Sequence, residues 1–412
     1  MDVNQAVSLL AGLTPAQFMR RHWQKKPLLV RQALPGFQPV LSRAELFRLA
    51  ARDEVESRLM VNGKTGWRRK QGPFASRSLP ALSQADWTLL VQGVDLHEPK
   101  AHDLLQQFRF VPDARLDDLM ISFATPGGGV GPHFDSYDVF LLQASGRRRW
   151  KISKQKDLTL QPDVPLKILQ NFEPDEEFVL EAGDMLYLPP RYAHEGIAEA
   201  STGPDGKAAD CMTYSIGFRA PARGELAAQL LHRLAEFSED AAEAASAAAE
   251  DDGVNGATRP LAKVHMLYRD PAQAATDTPA ALPAALVAFA SEAVLEALKD
   301  PLAMACALGE YLTELKPSVW FDAATADWDP ANSDTGLVLD AKTRMMYDAQ
   351  HVFMNGESYR AKGADARLMQ RLADGRALSA QALAKASTAA LDLLADWHEA
   401  GWIRTAPVPT ER

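Results

Sequence analysis

The pattern of hydrophobic and polar positions changes along the chain, and its middle part is typical of short β-strands. Between about residues 117 and 220, turns rich in Gly, Pro and Asp separate five β-rich runs, namely "LMISFAT", "DVFLLQ", "RRWKI", "EFVLEAGDMLYLPP" and "CMTYSIGF". Many short strands with regular turn signals indicate a sandwich or barrel. A double-stranded jelly roll of the cupin kind fits this pattern, and we predict it for a domain spanning residues 1–222.

The pattern becomes helical after Pro221. Residues 223–237 repeat apolar positions at spacings of three and four, as an amphipathic helix does. Two more helices are predicted within residues 281–315, ending before Pro301 and Pro317. Between these segments, residues 238–260 predict a frayed helix end and a linker, since they are rich in Ala and acidic residues and then contain Gly. We predict a helical region over 223–320, whose apolar faces favour a homodimer interface; helices packed within one monomer would give the same pattern.

The last ninety residues predict a small domain of a third kind. The run "LVLDAKTRMMYDAQHVFMNGESYRAKG" is typical of paired strands that turn at Asn355-Gly356. Two helices are predicted to follow, at about 364–373 and 378–399. Helices that flank a hairpin indicate a winged-helix-like domain over 321–412, so the fold class is mainly β plus α.

Composition narrows the class of protein. Hydrophobic residues make up 47% of the 412 and charged residues 24%, which is ordinary for a globular protein. No apolar run is long enough for a membrane span, and the N-terminus lacks the features of a signal peptide. Cys211 and Cys306 are too few for a disulfide framework, so we expect a cytoplasmic protein. The net charge of −10 makes direct nucleic-acid binding unexpected and is compatible with a basic protein partner.

A candidate metal site begins at "GPHFDS". His133 and Asp135 are two positions apart, and on a strand they would point to the same face. His194, in "GDMLYLPPRYAHEG", is a candidate third ligand from a later strand. Two histidines and one carboxylate form the facial triad of non-haem Fe(II) oxygenases. The order of the three residues within a jelly roll favours iron, although zinc could also bind, and a purely structural role for these residues stays open.

An arginine at an apolar position is the second clue. In "DVFLLQASGRRRWKI" we predict a strand, a turn at residues 144–146 and a returning strand, on which Arg148 shares a face with Trp150 and Ile152. If that face is internal, the guanidinium needs an anionic partner, because an unpaired buried charge costs several kcal/mol. The distal carboxylate of 2-oxoglutarate would fill this role, and an internal bridge to Asp or Glu is the alternative.

These residues also carry a family resemblance. The stretches "LMISFATPGGGVGPHFDSYDVFLLQASGRRRW", "GDMLYLPPRYAHEG" and "YSIGFRAP", with the early "HWQKKPLLVRQAL", resemble the bacterial JmjC ribosomal oxygenases, and within them the YcfD-type arginine 3-hydroxylases. The resemblance covers residues 15–222. The later segments match that family's layout of jelly roll, helical dimerisation region and winged helix by architecture more than by sequence.

The resemblance implies an activity and a set of site residues. It implies Fe(II) held by His133, Asp135 and His194, with 2-oxoglutarate and O₂ as cosubstrates. Arg148 would bind the far carboxylate of 2-oxoglutarate, at a position where related eukaryotic enzymes have a lysine.

Four further residues have weaker implied roles. Ser215 and Phe123 are candidates for the cosubstrate pocket, Phe123 standing where relatives have a tyrosine. Tyr137 and Asp138 are candidates for contact with the substrate, and packing or turn capping is their alternative role.

The implied substrate is an arginine of large-subunit ribosomal protein number sixteen, hydroxylated at Cβ. Two alternatives stay open. One is the same chemistry on another residue, as histidyl hydroxylation or N-methyl-lysine demethylation, and the other is a non-catalytic binding protein.

Overall fold

The structure is a computed structural model that describes residues 2–203, 206, 208–251, 268–269, 282–324, 328–330 and 334–407. Its described residues divide into two compact units. The first consists of residues 1–220 with 317–320, and the second of 221–316 with 321–412. The further division of the second unit into a helical region and a winged-helix-like domain stays a prediction. None of the described helices is both long and apolar enough to cross a bilayer.

The described part of the first unit has three α-helices and eleven strands. In chain order they are α1 (Pro15–Arg21), β1 (Leu28–Val30), α2 (Arg43–Leu49), β2 (Ser57–Gly63), β3 (Gly66–Gln71), β4 (Trp87–Val91), α3 (Pro99–Gln106), β5 (Leu116–Ala124), β6 (Val139–Ser145), β7 (Arg147–Ser153), β8 (Glu176–Leu180), β9 (Met185–Leu188), β10 (Ala193–Glu199) and β11 (Cys211–Phe218).

The strands form two antiparallel sheets, as expected for a jelly roll. The larger sheet has the order β1-β9-β6-β11-β5-β4-β2-β3, and the smaller has the order β10-β7-β8. Side chains of both sheets meet in a core between them, made of residues such as Leu141, Trp150, Ile152 and Leu186. The opposite face of the larger sheet packs on the helices through a second and larger core.

The predicted hairpin through "ASG" is wrong in one respect. β6 and β7 are consecutive and change direction at Gly146, but they belong to different sheets, since β6 pairs with β9 and β11 while β7 pairs with β8 and β10. The chain therefore crosses from one layer to the other at this point. Gly146 has φ of +65°, and a Cβ there would lie 2.7 Å from the Asp210 carbonyl oxygen, so no larger residue fits the crossing.

Within its described residues, the second unit contains six α-helices and six short strands. They are α4 (Arg223–Asp251), α5 (Ala284–Ala297), α6 (Pro301–Thr313), β12 (Gly336–Leu339), β13 (Met345–Tyr347), β14 (His351–Met354), β15 (Glu357–Arg360), α7 (Gly363–Gly375), β16 (Ala377–Leu378), α8 (Ala380–Leu383), α9 (Thr388–Glu399) and β17 (Ile403–Ala406).

Several predictions for this unit are confirmed and three need correction. β14 and β15 pair across Asn355-Gly356 as predicted. β12 pairs with β16 and β17 and not with the hairpin. The helix predicted at 378–399 is divided, because Ser387 caps the start of α9 by accepting a hydrogen bond from the Ala390 N–H.

The third correction concerns the segment predicted to fray after residue 237. Helix α4 continues through it to Asp251. The rest of the predicted linker, residues 252–260, lies outside the described residues.

Candidate metal centre

Three side chains converge at one end of the space between the two sheets. His133, Asp135 and His194 each present a ligand atom, and these atoms lie within 4.8 Å of one another. The His194 Nε2 atom is 3.7 Å from Asp135 Oδ2. In the part of the chain that the structure describes, no other group of three such residues is this close. The residue types match the facial triad of non-haem iron sites.

Backbone pairing brings the two histidines together. His133 and His194 form an isolated antiparallel bridge, with N–H to O distances of 2.9 and 2.8 Å. The expectation that His133 and Asp135 share a regular strand was wrong, since both lie in a loop that runs beside β10. This approach requires glycine, because a Cβ on Gly129 would lie 2.5 Å from the Gly196 carbonyl oxygen.

Hydrogen bonds orient both imidazole rings toward the cluster. Nδ1 of His133 lies 2.9 Å from the Gly131 carbonyl oxygen, and Nδ1 of His194 lies 2.9 Å from that of Tyr192. A carbonyl oxygen only accepts, so each Nδ1 carries the proton and each Nε2 has a free lone pair. Burial, with the nearby His133, lowers the pKa of His194 to about 4. His194 is therefore neutral at physiological pH, which is the form that binds metal.

Arg148 is buried inside the same roll. It is only 4% exposed, as are its face partners Trp150 (5%) and Ile152 (0%), so the predicted alternation along β7 is confirmed. Arg147 and Arg149, on the other face, pair with glutamates at the surface.

The guanidinium of Arg148 lacks the partners that a buried charge normally has. Its Nε and Nη2 atoms have no hydrogen-bond partner, and none of the described carboxylates forms an ion pair with it. The alternative of an internal bridge to Asp or Glu therefore has no support among these residues. Nε and Nη2 form one edge of the guanidinium fork, the edge that binds a carboxylate through two parallel hydrogen bonds.

The spacing between Arg148 and the metal cluster suits a short dicarboxylate. On β10, His194 lies opposite Ile152 and Ala198 lies opposite Arg148. Their separation of four residues corresponds to about 13 Å between backbones, which the long arginine side chain shortens. Trp150 lies between the two ends, with its ring 5.9 Å from both the His194 ring and the Arg148 guanidinium carbon.

Comparisons with known proteins agree with this geometry. Residues 103–226 match the JmjC domain family, and residues 296–404 match the ROXA-like winged helix family. The chain is 44% identical over 213 residues to the ribosomal protein uL16 3-hydroxylase of Escherichia coli K12, covering 51% of this chain and 53% of that protein. It thus spans about half the length of the curated relatives it matches.

Solved structures extend the likeness over almost the whole chain. The crystal structure of E. coli YcfD is 30% identical with a TM-score of 0.75, and the match covers 96% of this chain and 98% of YcfD. A second structure, of YcfD as a ribosomal oxygenase in complex with cobalt and 2-oxoglutarate, is also 30% identical, with a TM-score of 0.73 over 95% and 98% of the two chains. The chain belongs to the JmjC ribosomal oxygenases.

Within this ribosomal oxygenase fold, the two weaker pocket candidates lie on opposite faces of the larger sheet. Ser215 pairs with Leu141, whose side chain fills the core between the sheets, so Ser215 faces the same interior as Arg148. Phe123 pairs with Met212 and Leu89, which belong to the core under the helices. The prediction that Phe123 lines the cosubstrate pocket is therefore not supported, because its ring points away from that pocket.

Tyr137 and Asp138, the two candidates for substrate contact, lie in different environments. Tyr137 is 39% exposed, and its hydroxyl donates a hydrogen bond to Asp135, which with burial raises the pKa of the phenol. Asp138 is fully buried and accepts hydrogen bonds from Tyr187 at 2.6 Å and Gln24 at 3.0 Å. This placement supports the alternative packing role for Asp138 and not contact with a substrate.

Sequence reasoning missed an acidic residue near the centre. Asp118 alternates with Met120 and Ser122 on β5, and a Cβ on Gly217 would lie 3.7 Å from its Oδ1. It therefore faces the roll interior, and its charge also raises the pKa of Tyr137. The signal was present in "LDDLMIS", where one of two adjacent aspartates must share the inward face of the strand.

Proposed function

We propose that this ribosomal oxygenase is an Fe(II)- and 2-oxoglutarate-dependent protein hydroxylase. The observation that carries the proposal is Arg148, a buried guanidinium whose Nε and Nη2 atoms lack partners within the same roll as the His133, Asp135 and His194 cluster. Such a residue is costly unless a ligand completes it. A related protein, YcfD, has been solved with cobalt and 2-oxoglutarate.

Different side chains would bind the metal and the cosubstrate. The Nε2 atoms of His133 and His194 and the carboxylate of Asp135 would hold the iron, while Arg148 would bind the distal carboxylate of 2-oxoglutarate and fix its orientation. Bound iron would supply the activation of O₂, with 2-oxoglutarate oxidised to succinate and CO₂. Trp150 and the apolar residues around it exclude water from the pocket.

The wall of the site suits a cationic substrate side chain. Asp118 lies on the interior side of β5, and Tyr137 lies beside Asp135. A guanidinium entering here would meet a carboxylate and an aromatic ring. The curated E. coli relative is a ribosomal protein uL16 3-hydroxylase. We infer that the substrate is an arginine of that large-subunit protein, hydroxylated at Cβ, and we expect the enzyme in the cytoplasm, where ribosomes are made.

Purified enzyme with Fe(II), 2-oxoglutarate and a uL16 peptide tests the proposal. We expect 2-oxoglutarate turnover and one added oxygen on an arginine, located by peptide mass spectrometry. An oxygen on histidine or loss of methyl groups from lysine would replace the arginine assignment. Absence of both Fe(II) binding and 2-oxoglutarate turnover with any ribosomal protein would identify a non-catalytic binding protein.

The ligand variants give the largest expected effect. H133A and D135A each remove one of three ligand atoms, and we expect turnover to fall by more than about a thousandfold because the metal is no longer held. The matched control is H232A, since His232 is exposed on α4. Substantial succinate formation by H133A or D135A would remove that residue from the ligand set.

We also propose that the protein forms a homodimer. Helix α5 exposes a group of large apolar side chains in the described structure, namely Leu286, Val287, Val294 and Leu295. Exposed apolar patches of this kind mark interaction surfaces. Light scattering should give twice the 45.0 kDa chain mass, and V294E/L295E should return it to the single-chain value. A single-chain mass for the unmodified protein would assign the apolar pattern to packing within the monomer.

A further inference from the structure

The charge of this chain is distributed very unevenly. Residues 1–85 contain 14 Lys and Arg against 5 Asp and Glu, whereas the whole chain has 44 against 54. The asymmetry is greatest from Ser57 to Ala85, where there are six basic residues and no acidic one. The net charge of −10, which made nucleic-acid binding unexpected, is thus an average over a cationic N-terminal part and a strongly acidic remainder.

The structure places these cations on one edge of the larger sheet. Strands β2 and β3 form a hairpin, and β3 is the outermost strand. The cationic edge is defined by five exposed residues on β3 and the turns beside it, which are Lys64, Arg68, Arg69, Lys70 and Arg77. None of the described acidic side chains forms an ion pair with any of them.

Other arginines of the same unit behave differently. Arg31, Arg43, Arg109 and Arg149 are each paired with an aspartate or glutamate. A solvated surface that served only for solubility would be expected to mix both signs of charge. Basic residues on an edge strand also prevent sheet-to-sheet aggregation, but Lys64 and Arg77 lie outside the strand. Because no acidic residue lies between the basic residues of the cationic edge, this surface points to an anionic partner.

The cationic edge lies beside the candidate metal centre. A Cβ on Gly131, two residues before His133, would lie 3.2 Å from the Trp67 ring of β3. A polyanion bound at the edge would thus lie next to any substrate residue that enters the site.

We propose that the cationic edge binds the phosphate backbone of RNA, so that the enzyme engages its ribosomal protein together with ribosomal RNA. A protein that itself binds RNA carries a cationic footprint. A ribosomal protein with such a footprint would be repelled by the positive charge of the cationic edge. Once RNA phosphates neutralise the cationic edge, the same protein could approach the site. The identity of the RNA as ribosomal rests on the proposed function, whereas RNA binding by the edge does not.

Fluorescence anisotropy with the full chain and a labelled 30-nucleotide RNA hairpin tests the proposal without any turnover. We expect binding whose logarithm falls steeply with the logarithm of salt concentration. The variant R68Q/R69Q/K70Q should lose at least about tenfold in affinity, and its salt slope should fall by about two. R68K/R69K, which keeps the charge, should retain the affinity of the unmodified chain.

A matched control separates this surface from the winged helix. R360Q/K362Q/R367Q removes the same charge from exposed residues around α7 and should bind RNA normally. Equal binding by the unmodified and R68Q/R69Q/K70Q chains would overturn the proposal, as would loss of binding only in the control. Tight binding of a glutamate-rich peptide with none of RNA would overturn it in favour of an acidic protein partner. A chain that binds RNA but hydroxylates no ribosomal protein would contradict the proposed function alone.

Discussion

Two buried polar side chains of the first unit, Asp138 and Arg148, have opposite hydrogen-bonding environments. On the face covered by helices, the fully buried Asp138 accepts hydrogen bonds from Tyr187 and Gln24 and lies 3.4 Å from Arg115. In the space between the sheets, Nε and Nη2 of Arg148, on β7 of the smaller sheet, are buried without a partner, as is the Thr88 hydroxyl of the larger sheet. Native proteins satisfy most buried polar atoms. Asp138 is thus satisfied within the protein itself, whereas the Arg148 guanidinium is satisfied only when a ligand binds.

For this pair, the largest expected effect comes from substituting Arg148. R148M removes a buried charge whose Nε and Nη2 atoms lack partners in the free protein. We expect the free energy of unfolding to stay unchanged or to rise by about 1–3 kcal/mol, because a buried unpaired charge is unfavourable. At the same time, loss of a bidentate carboxylate contact should raise the KM for 2-oxoglutarate at least about a hundredfold.

Two measurements check this opposite pair of effects. Urea denaturation gives the stability, and turnover against 2-oxoglutarate concentration gives the KM. R149M is the control, since Arg149 lies on the outer face and pairs with Glu177 and Glu199. A loss of several kcal/mol in R148M with an unchanged KM would show that Arg148 has an internal partner, as Asp138 does.

Asp138 should give the reverse result. D138A leaves the Tyr187 hydroxyl and the Gln24 amide without an acceptor in a buried place. We expect the free energy of unfolding to fall by about 2–4 kcal/mol, with the KM for 2-oxoglutarate unchanged. Denaturation and kinetics on the same preparations measure both. A raised KM for 2-oxoglutarate at full stability would contradict the packing role of Asp138.

The predictable part of this molecule follows from strand alternation. The two-residue period along β7 was enough to predict that Arg148 is buried. The Asn355-Gly356 turn was enough to predict the hairpin. Alternation alone could not say which face of β5 looks into the roll, so Phe123 was assigned to the wrong side. It also could not show that β6 and β7 separate into different sheets, since that depends on partners distant in sequence.

The convergence of the metal ligands was predicted for an incorrect reason. His133 and Asp135 were expected on a strand, whereas a single backbone bridge between His133 and His194 brings the cluster together. That bridge depends on Gly129 lying close to β10, which is a tertiary contact. Asp138 shows the same limit, because its hydrogen-bond partners are 49 and 114 residues away.

A smaller effect is expected from pH on the metal-free chain. Burial lowers the pKa of His194 from its ordinary value of 6.5 to about 4 in the folded state. Between these values the unfolded chain binds the extra proton and the folded chain does not, so stability falls as pH drops from about 6.5 to 4. H194Q should flatten this part of the curve in thermal or urea denaturation. An unchanged slope in H194Q would show that other groups cause the acid sensitivity.

The smallest expected effect is that of substituting one of two serines on the same interior face of the larger sheet. Ser122 is satisfied, since its hydroxyl donates to the Thr213 carbonyl oxygen, whereas Ser215 faces the proposed cosubstrate pocket. S215A should raise the KM for 2-oxoglutarate about two- to tenfold, as expected for one neutral hydrogen bond, with stability changed by less than about 0.5 kcal/mol. S122A should instead lower stability by about 1 kcal/mol and leave the KM unchanged. If both serines affected only stability, the pocket would end before Ser215, and Arg148 alone would define its far wall.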